Sequence, residues 1–569
     1  MKFDLLIKNI KIVDVINKKA TYGYVTISNG IFILTEEGDP SPKIEKNSKE
    51  IVDGNKSYAI PGLIDTHMHI ESTFVTPKIF AELTVPHGLS TILWDFHEIA
   101  NVGGIEGFEN IYKNTKTLPL NIYIAAPSCV PATDKDIETP NFTFTDKEIS
   151  HLLSKKEVIA LGEVMDYKEL ISKNKRLLNI LKKAREYDII IDGHVPTLSG
   201  MELSTYLSFG ITSDHTLADP KKIEEELRKG VWVQIQDKSL TKENISYLKE
   251  RRSLEHILFV TDDVPPDKIL DGHLLFIINK AISMGLSPYE VLASATIRAA
   301  KRIRKCNIGA ISPGREANFF LSKDIDDIKP YLVYFKGALA AEEGRFVYKD
   351  KIKTQKSSNI YKSYIFIEKI TEDDLKFSIK DGNYRVNAVS FNDKNSLTHL
   401  EEVTLKFENR SPILKDEVSM IFVESRNGSH KTMGFIKNLG PKRGALATTY
   451  SHDSHPLTVL GKNTKDMVIA ANKVVKEGGG IAVAIDDKII FFLPLPVYGL
   501  LSNTNGEEIV RNFQKLKEIL INIGIRHKNP TQIITLLTLS VSPFYKISDK
   551  GLVDTEKRKL ISVIKGGST

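Results

Sequence analysis

Pro61-Gly62-Leu63-Ile64-Asp65-Thr66-His67-Met68-His69-Ile70-Glu71-Ser72 is where the chain first declares a chemistry. An apolar run from Tyr58 to Ile64 leads into a His-x-His pair. In a strand, residues two apart share a face. His67 and His69 would then project together from its carboxyl end, as two metal ligands on one wall of a cavity must. Alone, the pair reads equally well as two histidines in a polar loop.

The chain after this stretch settles the choice. Apolar, β-branched runs fall at 59–65, 91–95, 121–127, 158–164, 189–192, 211–214, 231–235 and 256–261, with segments of helical character between them. Runs apolar on both faces and separated by helices are what a parallel sheet needs. Eight such units between residues 59 and 306 predict an α/β fold, a TIM-like (β/α)8 barrel with its active site at the carboxyl ends of the strands. A doubly wound sheet is the rival, and its ligand site draws on fewer strand ends.

Residues 1–58 read as short strands at 4–10, 11–15, 22–28 and 31–34, with Asn29-Gly30 as a hairpin turn. Strands at 317–321 and 328–334 are placed to complete that sheet. A lysine-rich polar stretch at 350–358 reads as a linker. Beyond it, strands at 481–485 and 488–493 mix with amphipathic helices at 464–477 and 507–521 in a third unit.

Composition narrows the classes. A chain of 569 residues is too long for one core. The net charge of +6 is spread thinly, with no run of like charges, so neither a nucleic-acid nor a membrane partner is expected. Two cysteines, Cys129 and Cys306, exclude a disulfide framework and suit a reducing compartment. Cys129 reads as a small buried filler rather than a ligand. The N-terminus has no signal-peptide apolar region, and the longest apolar stretch, 489–501, holds Pro494 and Pro496 and is too short for a bilayer. The default is a cytoplasmic protein, with homo-oligomerisation left open.

The residues that follow the runs carry the function. The first run ends in His67 and His69, the second in Asp95-Phe96-His97-Glu98, and the fourth in Gly162-Glu163-Val164-Met165. The fifth ends in Asp192-Gly193-His194, the sixth in Ser213-Asp214-His215 and the eighth in Thr261-Asp262-Asp263. Imidazoles and carboxylates gathered on one rim predict a metal site. His67, His69 and Asp262 would hold one ion, His194 and His215 a second, and Glu163 would bridge them. Two divalent cations about 3.5–4 Å apart share a water and lower its pKa. Asp262 is then placed to take the water's proton and pass it to a leaving group. Taken singly, Glu163 could be a helix cap, His194 and His215 loop histidines, and Asp262 or Asp263 an N-cap before Pro265. Six matches in order set those readings aside.

With these residues in view, the chain resembles the amidohydrolase superfamily and, within it, the bacterial and archaeal adenine deaminases. The resemblance rests on PGLIDTHMHIES (61–72), DFHEIANVGG (95–104), APSCVPAT (126–133), LGEVMDY (161–167), DGHVPTLSG (192–200), GITSDHT (210–216) and VTDDVPPD (260–267). It continues in SHDSH (451–455), EGGGIAV (477–483), LPLPVYGLLS (493–502) and KGLVD (550–554). The resemblance implies hydrolytic deamination of adenine to hypoxanthine and ammonia, in purine salvage, at two divalent ions. Manganese or iron is implied, with zinc as a further option. It also implies a small β-sandwich from 1–58 and 307–350, a barrel over 59–306, and a C-terminal domain of adenine-deaminase type over 359–569. The family's metal ligands fall on His67, His69, Glu163, His194, His215 and Asp262. Its His-Glu pair falls on His97 and Glu98, near the substrate and the proton path.

Three departures stand out. Thr216 replaces the family's Glu, Gln236-Asp237-Lys238-Ser239 replaces Arg-Glu-Gly-Ser, and Phe96 replaces a proline. Losing the Arg and the Glu together keeps local neutrality. The alternative is another cyclic amidine or amide as substrate, or an inactive metal-binding paralogue. Ser451-His452-Asp453-Ser454-His455 has no assigned role. It reads as a loop offered to the barrel mouth, by this chain or by a neighbouring subunit. No substrate-contacting residue is assigned.

Overall fold

Each apolar run meets a strand in the structure, a computed structural model that describes residues 1–251, 253–349, 352, 363–391, 397–525, 527 and 529–568. In chain order these strands are β1 (Leu63–Met68), β2 (Leu89–Asp95), β3 (Asn121–Ala126), β4 (Val158–Val164), β5 (Ile190–Gly193), β6 (Ser213–Asp214), β7 (Trp232–Ile235) and β8 (Ile257–Phe259). Strands β1 to β5 form one parallel sheet in sequence order, and β6 to β8 form a second, three-stranded one. Backbone bonds link the two at both ends. Thr212 N donates to Ile191 O at 3.1 Å, and Asp262 N donates to His67 O at 3.1 Å. Every residue of β1 and β2 is buried, which is the two-faced burial that makes such runs apolar throughout.

The first run is not one strand. Tyr58–Pro61 pairs with Lys11 and Ile12 and with the strand Phe319–Ser322, so it belongs to another sheet. The break is Gly62, where a Cβ would stand 2.5 Å from the Ser90 Cβ. The chain crosses from one sheet to the next there, and His67 consequently lies within β1 rather than beyond it. The other sheet has nine strands. It joins Phe3–Asp14, Lys19–Ser28, Ile31–Glu37 and Ser48–Asp53 to Phe319–Ser322, Pro330–Phe335, Ala338–Glu342 and Arg345–Phe346. The stretches expected as two strands, 4–10 and 11–15, run together as one. Asn29 and Gly30 both take positive φ, 50° and 76°, as a two-residue hairpin turn of this hand requires.

The expected linker at 350–358 lies outside the described residues apart from Ile352. From 382 onward a ten-stranded sheet carries the helix Thr464–Lys476 on one face. A second long helix, Gly506–Asn522, reaches the rim of the parallel strands, where Lys517 Nζ stands 2.7 Å from Asp267 Oδ2. Side chains of the parallel region, such as Trp94, Phe96 and Phe108, share one buried cluster with Leu446, Leu495 and Tyr498 of the C-terminal region. No helix among the described residues is long and apolar enough to cross a membrane.

Candidate active site

The carboxyl ends of β1, β4, β5, β6 and β8 bring the six expected metal ligands into one group. The centre is Glu163, at the end of β4. Its Oε1 lies 3.5 Å from His69 Nε2 and 4.0 Å from His67 Nε2. Its Oε2 lies 2.6 Å from His194 Nδ1 and 3.3 Å from His215 Nε2. Asp262 faces the first half most closely, with Oδ1 3.3 Å from His69 Nε2 and 3.6 Å from His67 Nε2, and it also groups with His215. His67 and His215 stack with ring centroids 3.7 Å apart, so the halves adjoin.

The group is buried and charged. Burial works against ionisation of Glu163, yet His194 and His215 hold its carboxyl well below the usual range. Burial lowers His69, but Asp262 and Asp263 act together against it, and the imidazole is lifted to about 9. His67 Nε2 is buried without a hydrogen-bond partner among the described residues, although two carboxylates face it. Imidazole nitrogens aimed at shared carboxylate oxygens, one of them unpartnered, fit a divalent cation between them.

A second layer fixes these side chains. His69 Nδ1 donates to the Asp95 carbonyl at 3.0 Å, which turns Nε2 inward. Asp192 Oδ2 is 3.8 Å from His67 Nδ1, while its Oδ1 accepts from Arg302 Nη2 at 2.5 Å and from Ser213 Oγ at 2.7 Å. Tyr206 OH accepts from His194 N at 3.1 Å and donates to Val164 O at 2.6 Å, tying the ends of β4 and β5.

The departures have structural roles. Gln236 Nε2 donates to Asp262 Oδ2 at 2.6 Å and to the His215 carbonyl at 2.7 Å. A neutral amide thus secures Asp262 and the β6 end together. Thr216 Oγ1 donates to Asp214 Oδ2 at 2.9 Å, and Lys222 Nζ completes the charge balance 2.8 Å from that carboxylate. Phe96 stacks on Phe108, with centroids 3.8 Å apart, inside the core.

His97 sits beside the group, its Nδ1 3.9 Å from Glu163 Oε1 and 3.3 Å from Asp95 Oδ1. Cys129 is buried against His97, and burial pushes its thiol up to about 12. Glu98 is not open to the rim. Its exposure is 0%, and both carboxylate oxygens meet histidines of the C-terminal region. Oε1 accepts from His452 Nδ1, and Oε2 lies against His455 Nε2. The loop 451–455 therefore comes from this same chain. Sequence reading left His452 and His455 without a role, and its one signal was the SHDSH motif itself.

Two cavities border the group. One of about 470 Å³ is lined by Gln236, Lys238, Asp262, Asp263, His273 and Lys517. The other, about 60 Å³, is lined by Ser72, Phe74, Asp263, Tyr450, His452 and Phe513.

Comparison with known proteins matches residues 58–340 to the amidohydrolase family and residues 395–559 to the adenine deaminase C-terminal domain. The chain is 35% identical to an adenine deaminase of Clostridium perfringens, with 100% of both chains aligned. It is 36% identical to an adenine deaminase of Staphylothermus marinus over 90% of this chain and 87% of that one. Among solved structures, a β-aspartyl dipeptidase of Fervidobacterium islandicum AW-1 has 20% identity and a TM-score of 0.47, covering 63% of this chain and 100% of that one.

Proposed function

The chain belongs to the adenine deaminase family of the amidohydrolases and hydrolyses adenine to hypoxanthine and ammonia, and we propose that it does so at two divalent ions held by His67, His69, Glu163, His194, His215 and Asp262. The observation that supports a paired centre is the division of Glu163, with one oxygen towards His67, His69 and Asp262 and the other towards His194 and His215. We read the two parallel sheets as one (β/α)8 barrel, a reading the Thr212–Ile191 and Asp262–His67 bonds support. A β-sandwich from 1–58 and 307–350 and a domain over 359–569 then flank a barrel over 59–306.

Divalent ions bound at this donor set, manganese or iron by family and zinc by ligand type, would supply the Lewis acidity that lowers the pKa of water towards neutrality. The chain's own residues do the rest. Asp262 is the proton shuttle. Burial works against its ionisation, but His215 and the His67 and His69 side chains hold its carboxyl well below the usual range, so it stands ionised, with its acceptor oxygens free of a proton. Gln236 keeps one of its oxygens fixed while the other faces the reacting side. The same carboxyl then returns the proton to the amine leaving C6, which cannot depart as an anion. The cleft of about 470 Å³ beside Asp262 is large enough for a purine, and Lys517 and Asn529 of the C-terminal region stand at its edge.

The experiment is ammonia release from adenine by protein loaded with manganese, beside a panel of other purines and cyclic amidines. Turnover of adenine above the panel supports the reading. Faster turnover of another heterocycle, or none of any, overturns it.

A further inference from the structure

The loop 451–455 has no part in the metal centre proposed above, yet its atoms are tightly held. Arg426, itself buried, donates through Nε to His455 O at 2.7 Å, through Nη1 to Ser363 O at 2.8 Å and Tyr498 O at 2.9 Å, and through Nη2 to Thr449 O at 3.2 Å. Thr538 Oγ1 donates to His452 O at 2.9 Å. Ser451 N donates to His455 Nδ1 at 3.1 Å, so that nitrogen is the acceptor and the hydrogen of the ring is on Nε2, against Glu98.

Glu98 is therefore enclosed. It has no exposed surface, and each oxygen is covered by an imidazole. A ligand in the cleft cannot touch it. His452 differs, because its Nδ1 is bonded to Glu98 while its ring forms part of the wall of the 60 Å³ cavity, with Ser72, Asp263 and Tyr450. That cavity and the 470 Å³ cleft share Asp263, Pro265 and Asn529 in their walls. The arrangement is a carboxylate behind an imidazole that faces a cavity, and it is assembled from two distant parts of the chain.

We infer that His452 is a substrate-facing residue of the deaminase site and that Glu98 acts only through it, as its positioning partner. The inference rests on the deaminase reading above. The chemistry suits a purine. With Nδ1 committed to Glu98, the ring's other edge offers an N–H to a heteroaromatic ring nitrogen. Burial lowers His452, but the Glu98 carboxylate outweighs it and raises the imidazole to about 10, so it is a donor at neutral pH. His455, which burial lowers to about 4, is neutral and serves as the second clamp on Glu98.

The test compares His452→Asn, Glu98→Gln and the double variant in manganese-loaded protein. The Asn amide reaches the place of Nδ1, so it keeps the bond to Glu98 and removes only the edge in the cavity. His452→Asn should lower kcat/KM for adenine by about 10², the lower end for a lost acid–base contact. It should weaken binding of hypoxanthine by about tenfold, as loss of one charged hydrogen bond does, and leave metal content and melting temperature as in the parent. Glu98→Gln should fall similarly, and the double variant no further than the lower single. A His452→Asn protein within threefold of the parent overturns the inference. So does a double variant in which the two losses multiply, since Glu98 would then act on its own account. Loss of metal or of thermal stability in His452→Asn also overturns it, as a structural role. Parent protein that releases no ammonia from adenine would refute the deaminase reading itself, and the inference would fall with it.

Discussion

Replacing Glu163 with Gln tests the metal centre where it is most exposed to refutation. Geometry gives unequal halves. The side facing Glu163 Oε1 has His67, His69 and Asp262 as further donors, whereas the side facing Oε2 has only His194 and His215. A glutamine keeps one oxygen and turns an NH2, which cannot ligate, towards the other half. The NH2 is directed to the His194 side, where His194 Nδ1 stands 2.6 Å from Oε2 and can accept from it, so that side falls to two protein donors. The His67 side never has fewer than three, the number that metal sites with an open position retain. Glu163→Gln should therefore hold close to one ion per chain after desalting, against close to two for the parent. A hundredfold weaker site gives up about 2.3 kcal/mol of metal-dependent stabilisation at a metal concentration that was 100 times the parent's Kd. The melting temperature should thus rise less on metal addition in the variant than in the parent. The assay is elemental analysis of desalted protein with thermal melts at matched manganese. Two ions retained, or none, would show that Glu163 is not the bridge.

Three further outcomes are expected. Asp262→Asn should lower deamination at least about 10³-fold, because one residue covers both proton transfers. A variant still turning over adenine at more than a tenth of the parent rate passes the shuttle to another group. Gln236→Leu strands Asp262 Oδ2 and the His215 carbonyl and should cost about 1–3 kcal/mol in denaturant unfolding of the metal-free protein. No loss would mean that water replaces the amide. Lys546 is buried, its Nζ has no hydrogen-bond partner among the described residues, and burial pushes its pKa down to about 7. The unfolded chain keeps that proton to about pH 10.4, so over this window it binds more protons and parent stability gains with rising pH. Lys546→Met should be more stable than the parent at pH 7, with the difference shrinking towards pH 10. A difference independent of pH would contradict a neutral folded lysine.

The parallel strands were legible because burial on both faces leaves an apolar run that needs no partner to be recognised. Val158–Val164 has the same bounds in sequence and structure. The short strand Ser213–Asp214 was recognisable only from its neighbours and from His215. The division at Gly62 was not legible, since Tyr58–Ile64 is uniformly apolar and only contact with Ser90 and Phe319–Ser322 separates its halves. The residues proposed as ligands could be picked out because each sits just past or within the end of its own strand, and the structure brings them together there. The enclosure of Glu98 was not. It depends on residues 354 positions away, and nothing in the spacing of either segment records the other. Arg426 was equally hidden, because its partners are main-chain carbonyls, which carry no residue identity.

That separation also has a meaning in time. A ribosome adds roughly 5–20 residues per second, so the 354 positions between Glu98 and His452 take roughly 20–70 s to make. When that interval begins the stretch that carries His67 and His69 has been made, and Glu163 follows early in it, while the imidazoles that cover Glu98 come only at its end. A carboxylate without its counter-charge resists burial by several kcal/mol, so the rim around Glu98 stays hydrated and open. The last turn of the site closes only when the C-terminal loop arrives, and a chain released early carries ligands without a finished pocket.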